Sequence, residues 1–257
     1  MTVIAVFNQK GGVGKTTITA NLAAAIAKNG IEPLVIDLDP QAHLTALWQR
    51  QPTIQASIAS FYHGKSALTD LAISLNDGIR FIPSHMELAR VDVIPSRQHA
   101  NIRRLKQAIK TEMLQESGMP ILIDCNPTLG ILAFSALFAA DLVLIPVAAE
   151  YLALNGARML AQTLAGLETL AGRKERRYLI NRYIEGRRTV ENVVASLEEN
   201  YPGEVLHTRI REHDALVEAI GWGTDIFSFD PDAGASEDFT YLLDELIETG
   251  VLQMPER

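Results

Sequence analysis

Two lysines five residues apart bracket a glycine-rich turn near the start of the chain: Lys10, Gly11, Gly12, Val13, Gly14, Lys15, then Thr16 and Thr17. An apolar run over residues 2–7 leads into the turn, and an alanine-rich stretch over 16–28 leads out of it. A strand, a glycine loop and a helix N-terminus in that order make an anion site, because backbone N–H groups and the positive end of the helix dipole converge on one point. In such a loop Lys15 reaches the outer phosphates of a nucleotide, and the Thr16 hydroxyl ligates magnesium. The template GxxxxGK(S/T) asks for a glycine five places before Gly14, where this chain has Gln9. Lys10 brings a second cation to the same anion.

Three carboxylates stand where such a site needs them. Asp37 and Asp39 end an apolar run, and a spacing of two on a strand points them to one face before Pro40 turns the chain. One of the pair can hold magnesium or its waters while the other orients an attacking water. Asp124 ends the apolar run 121–123, a Walker-B-like magnesium position. Cys125 is the single cysteine, so there is no disulfide framework and no zinc signature, and its place in an apolar run reads as a small buried residue.

These residues need a scaffold that brings strand ends together. Short apolar runs at 3–8, 34–37, 79–83, 121–124, 142–147, 177–180 and 204–208 read as strands buried on both faces. Helical patterns at 16–28, 102–115, 132–139, 156–171, 190–199, 215–220 and 239–248 alternate with them. That alternation predicts an α/β fold with a doubly wound, mostly parallel sheet flanked by helices, whose ligands gather at the carboxyl ends of the strands. At 257 residues with 47% hydrophobic content, the chain reads as one domain over 1–257. Residues 51–76 lack a clean period and are expected to form a helical insertion. Neither a signal peptide nor a run long enough to span a membrane is visible, which points to the cytoplasm.

With these motifs in view, the chain resembles the deviant-Walker P-loop ATPases of the ParA/MinD group. The resemblance rests on Lys10–Thr17, on Asp37-Leu38-Asp39-Pro40-Gln41 and on Asp124-Cys125-Asn126-Pro127. The stretches Glu218-Ala219, Gly223 to Ile226 and Phe229-Asp230-Pro231 are similar to the ParA/Soj branch. The resemblance implies ATP and Mg2+ as cofactors and slow, partner-stimulated hydrolysis of ATP. It implies that Lys10 reaches across an ATP-sandwich homodimer to the other subunit's nucleotide. Lys15 is then the phosphate lysine, Thr16 the magnesium ligand and Thr17 a neighbouring phosphate contact. Asp39 positions the lytic water, Asp37 sits beside the metal, Asp124 is the Walker B acid, and Asn181 contacts the adenine. Two positions depart from the pattern: Asn126 stands where a first proline is common, and Ile210-Arg211-Glu212 lacks the proline of Ile-Pro-Arg.

The net charge of −8 speaks against wholesale coating of nucleic acid. Residues 173–188, however, hold seven basic and two acidic side chains, a local +5 that has the footprint of phosphate-backbone binding. The resemblance implies nonspecific double-stranded DNA, such as the nucleoid, as a partner, with Arg187 and Arg188 the best matches for the contact. It also implies an adaptor protein on a cargo, whether plasmid, chromosome origin or a protein body such as a carboxysome. A second cluster at Arg97, Arg103, Arg104, Lys106 and Lys110 reads as a solvated helix face. Three rival readings are a membrane-associated MinD-like positioner, a nucleotide-switched binding module without turnover, and a metal-cluster carrier. The acidic C-terminal stretch, broken by Gly250 and Pro255, disfavours the first, and a lone Cys125 disfavours the last.

Overall fold

Uninterrupted apolar segments can only be satisfied between two covering layers, and in this chain they become the middle strands of one eight-stranded sheet. The computed structural model describes residues 2–75, 78–93, 98–112, 118–149 and 153–253. In chain order the elements are β1 (Val3–Val6), α1 (Lys15–Lys28), β2 (Leu34–Leu38), α2 (His43–Leu47), α3 (Ile58–Tyr62), β3 (Ile73–Ser74), β4 (Arg80–Ile82), α4 (Arg90–Val93), α5 (Gln98–Thr111) and β5 (Ile121–Cys125). There follow α6 (Ile131–Ala139), β6 (Leu142–Ala148), α7 (Ala153–Ala171), β7 (Glu175–Tyr183), α8 (Arg188–Asn200), β8 (Val205–Arg211), α9 (Asp214–Trp222), α10 (Ile226–Phe229) and α11 (Gly234–Glu248).

The strand order is β3-β4-β2-β5-β1-β6-β7-β8, parallel throughout except for the β3 edge. Alternate side chains of each strand enter opposite cores. Val3, Ala5 and Phe7 face the layer holding α3 to α8, while Ile4 and Val6 face the layer holding α1, α9, α10 and α11. This is the doubly wound arrangement expected from the alternation of strand and helix. Its register matters for chemistry: Asp37 of β2 lies directly beside Asp124 of β5, and Val6 of β1 lies on the other side of Asp124. Three loops therefore leave the sheet together at its centre, one after each of these strands.

Some elements escaped the sequence reading. The 51–76 insertion does contain a helix, α3, but its Ile58, Ala59, Phe61 and Tyr62 are core residues rather than an appendage. It also ends in β3, a two-residue exposed strand antiparallel to β4. β7 runs from Glu175 to Tyr183, longer at both ends than its apolar centre. α5 starts at Gln98, before the expected 102; its expected end near 115 and Arg97 lie outside the described residues. The other expected solvated cations on α5 are in part packed: Arg103 and Lys106 lie over the Phe138 ring and Arg104 over the Phe61 ring.

Candidate nucleotide site

The glycine turn is built around a left-handed backbone. Gly12 and Gly14 have φ of 74° and 90°, values that glycine adopts without strain, and Gly14 is the residue before α1. Val13 is buried and pins the tip. Asn181, at the carboxyl end of β7, donates its amide to the Val13 carbonyl at 2.7 Å. A Cβ placed on Gly14 would lie 2.3 Å from that same Nδ2. On the other flank Asn8 donates to the Pro146 carbonyl at 2.8 Å and accepts from the Lys10 N–H at 3.0 Å. Gln9, at the place of the template glycine, donates to Thr163 Oγ1 on α7 at 3.2 Å. The turn is thus clamped from β6, β7 and α7.

Lys15 points back into the turn and donates to the Lys10 carbonyl at 3.3 Å. Burial lowers its pKa, and the charges of Asp124 and Asp39 act in the opposite direction. Thr16 donates its hydroxyl to Asp124 Oδ2 at 2.8 Å. The other oxygen, Asp124 Oδ1, is buried and has no hydrogen-bond partner among the described residues. Burial, with Asp37 alongside, holds the Asp124 carboxyl well above the usual carboxylate range. A buried, unpartnered carboxylate oxygen next to a threonine hydroxyl is an oxygen donor set suited to a hard divalent cation.

Asp37 is buried and fully engaged in hydrogen bonds. Its Oδ2 accepts from the Thr45 N–H at 2.9 Å and the Thr45 hydroxyl at 2.6 Å, while its Oδ1 accepts from the Asp39 N–H at 3.1 Å. Expected beside the metal, it also shapes the turn between β2 and α2 through these bonds. Burial pushes its carboxyl up to about 7, despite those hydrogen bonds. Asp39 lines the open cleft; its Oδ1 accepts from the Gln41 N–H at 2.9 Å.

The cleft between these loops has a volume of about 640 Å³ and is lined by Gly11, Gly12, Gly14, Lys15, Thr16 and Thr17, and by Asp39 and Pro127. That is the size of a pocket for a ligand such as a nucleotide. Arg182 and Ile220 also line it. Arg182 is exposed and has φ 55°, an uncommon backbone for a non-glycine residue. Expected just past a strand, where the family contacts the adenine, Asn181 and Arg182 both lie inside β7, and Arg182 lines the cleft.

The basic run divides in two. Lys174 is buried and donates to the carbonyls of Phe138 and Ala140 at the end of α6, at 3.2 and 2.6 Å. Arg176 pairs with Glu204 at 2.9 Å and Arg177 pairs with Glu175. These residues sit at the start of β7. Arg182 sits at its other end, about 17 to 20 Å away at roughly 3.3 Å per strand residue, and Arg187 and Arg188 follow beyond that end. The local +5 is therefore not one patch. The exposed part at the nucleotide edge is Arg182, Arg187 and Arg188, with Glu185 among them and Arg209 of β8 stacked over Tyr183.

A family model described as an AAA domain matches residues 1–175 of the chain. A ParA family protein of Chlamydia muridarum is 31% identical over 251 residues, 96% of this chain and 98% of that protein. This chain belongs to the ParA family. The sporulation initiation inhibitor protein Soj of Bacillus subtilis is 30% identical over 267 residues, 96% of this family member and 99% of Soj. Among solved structures, the ATP complex of a McdA variant from Cyanothece superposes with a TM-score of 0.85 at 21% identity, over 100% of this chain and 99% of that one. The cell division ATPase MinD of Pyrococcus furiosus gives 0.76 at 23% identity, over 96% and 99%. Cobyrinic acid a,c-diamide synthase of Mycobacterium smegmatis, with ATP analog and magnesium, gives 0.85 at 24% identity, over 99% and 98%. These three likenesses establish the fold, a P-loop ATPase architecture on which different activities sit.

Proposed function

We propose that this ParA-family chain is a slow ATPase that dimerises around Mg-ATP, binds DNA without sequence preference in that state, and positions or segregates a cargo as an adaptor protein on that cargo stimulates hydrolysis. The reading places it, as a single 1–257 domain, in the cytoplasm on the nucleoid. One observation carries it. Asn181 holds the phosphate loop through Val13, and β7 ends two residues later, where the exposed 184–187 turn leads through Arg187 into Arg188 of α8 at the same edge of the sheet. The phosphate loop and a basic surface thus meet at one strand end.

In the proposed mechanism the N–H groups of Gly11 to Thr17 and Lys15 bind the phosphates. Thr16 and Asp124, with Asp37 beside them, would hold Mg2+, which would supply charge to neutralise the phosphates. Asp39, 7% exposed at the rim, orients the attacking water. Lys10 serves the nucleotide of the second subunit, where a cation delivered only on assembly stabilises the charge that develops on the transferring phosphoryl group. Arg187 and Arg188 contact DNA phosphates. The membrane alternative is opposed by packing: Phe239, Leu242, Leu243 and Leu246, the apolar face of α11, are fully buried against β8 and α1. No helix among the described residues is long and apolar enough to cross a membrane.

Binding to random double-stranded DNA, measured with ATP, ADP and no nucleotide over a salt series, tests the proposal. Tight binding with ATP alone is expected. Two arginines on phosphates (Arg187 and Arg188) give a log–log salt slope of about −2 per subunit. Binding that ignores the nucleotide contradicts the proposal.

A further inference from the structure

The loop that follows Asp124 is held at both ends. Asn126 is buried and Pro127 lines the nucleotide cleft; Thr128 and Leu129 are exposed; Gly130 then opens α6. Gly130 supplies no side-chain cap to that helix. The cap comes from another element: Asp92 on α4 accepts from the Leu132 N–H at 3.0 Å, and the Ile131 N–H also faces its carboxylate. A Cβ on Gly130 would lie 2.6 to 2.7 Å from all three carboxyl atoms of Asp92, so the backbone passes directly under that carboxylate.

The segment bearing Asp92 begins at the other catalytic loop. Ser84, just past β4, donates its hydroxyl to the Asp39 carbonyl at 2.7 Å, and its N–H donates to Thr45 Oγ1 at 2.8 Å. Thr45 is the residue that fixes Asp37. From Ser84 the chain passes through a short 3-10 turn, Met86–Ala89, into α4. Leu88 and Val91 anchor this stretch in the core at 0% and 3% exposure. His85 accepts from the Glu87 N–H and fixes the turn. Nine residues therefore run from the Asp39 turn to the Asp124 loop with a hydrogen-bonded contact at each end.

We propose that the segment from Ser84 to Asp92 is a tie that holds the Asp39 turn and the loop after Asp124 in one relative position, with Asp92 a positioning residue for hydrolysis. The proposal rests on the hydrolytic reading above. Asp92 is not among the residues that line the nucleotide cleft; it acts through α6 and the loop at its N-terminus. Ser84 acts in the same way on Asp39.

The test uses the full chain. Asp92→Ala is expected to lower kcat on the order of tenfold, the equivalent of about 1.4 kcal/mol, with ATP affinity changed less than about twofold. Asp92→Asn keeps an acceptor for the Leu132 N–H and should recover most of that loss, since Asn is also a good helix cap. Ser84→Ala should slow turnover too, and the double variant should fall short of the product of the single effects. In amide hydrogen exchange, a slowly hydrolysed ATP analogue should protect residues 39–45 and 126–132 together in the parent and only 39–45 in Asp92→Ala. Parent-level kcat in Asp92→Ala, additive losses, or loss of ATP affinity in step with kcat each overturn the tie. A parent without turnover sinks the hydrolytic reading instead. The tie is then judged on exchange alone: joint protection supports it and independent protection overturns it.

Discussion

At Gly14 the phosphate loop has no room for a methyl group, because the Asn181 amide sits where a Cβ would go. Asn181 thereby takes on a role that no local pattern announces: its partner, Val13, lies 168 residues away. Lys15, Thr16 and Asp124 were legible because their chemistry is written in residue type and spacing, and the structure brings the three together. Asp37 was legible as a strand-end acid beside the metal, but its hydrogen bonds from Thr45 were not, since alternation on a strand says which face a side chain takes and not what meets it. Asn181→Ala removes one buried hydrogen bond, worth about 1 kcal/mol, and should weaken ATP binding by roughly fivefold. Titration with labelled ATP and GTP checks this. Equal weakening of both identifies a loop-holding role, whereas loss of preference for ATP identifies the adenine contact implied by resemblance. Gly14→Ala should abolish nucleotide binding in the same assay.

Among the elements, β2 and β5 do the most to shape the chemistry. Their parallel register sets Asp37 beside Asp124, both fully buried. Asp37 titrates at about 7 in the fold against 3.8 for its ordinary value, and Asp124 moves in the same direction. A raised carboxyl binds more protons in the folded than in the unfolded state between those limits. This pair therefore makes the nucleotide-free protein lose stability as pH rises from about 4 through 7, with no further loss from Asp37 above that. Mg2+ with ATP compensates the paired negative charge, so the rise in melting temperature that it produces should be larger at pH 8 than at pH 5. Thermal melts across that range, with and without Mg-ATP, check the sign; an equal rise at both pH values contradicts it. The helices α2, α3, α4 and α10, each of four or five residues, were hidden from a reading that depends on periodicity over longer windows.

The whole molecule is a sheet with its reactive loops at one edge, and that edge divides the basic run. Counting charge over 173–188 treats a strand as a point, while β7 carries Arg176 and Arg177 to one end and Arg182 to the other. The exposed Arg187 and Arg188 remain at the nucleotide edge. Arg187→Glu with Arg188→Glu should lower DNA affinity by at least roughly a hundredfold at low salt and flatten the salt slope by about two. ATP-dependent dimerisation, followed by light scattering, should persist in that variant; its loss would point to the fold or to the dimer face rather than to DNA. The acidic C-terminal helix was read from charge as unsuited to lipid, and its buried apolar face gives a second, independent reason.

Lys10 is the residue through which one subunit's site would depend on the other. Lys10→Ala alone and Asp39→Ala alone should each be without measurable hydrolysis. Mixed in equal amounts with Mg-ATP, they form heterodimers with one restored site, which joins Asp39 of the Lys10→Ala subunit to Lys10 of the Asp39→Ala subunit. Random pairing into two-fold dimers then returns about a quarter of the parent rate. Recovered hydrolysis in the mixture is the result expected from a lysine that works in trans. A mixture as inactive as its components, under conditions where light scattering shows mixed dimers, would contradict it.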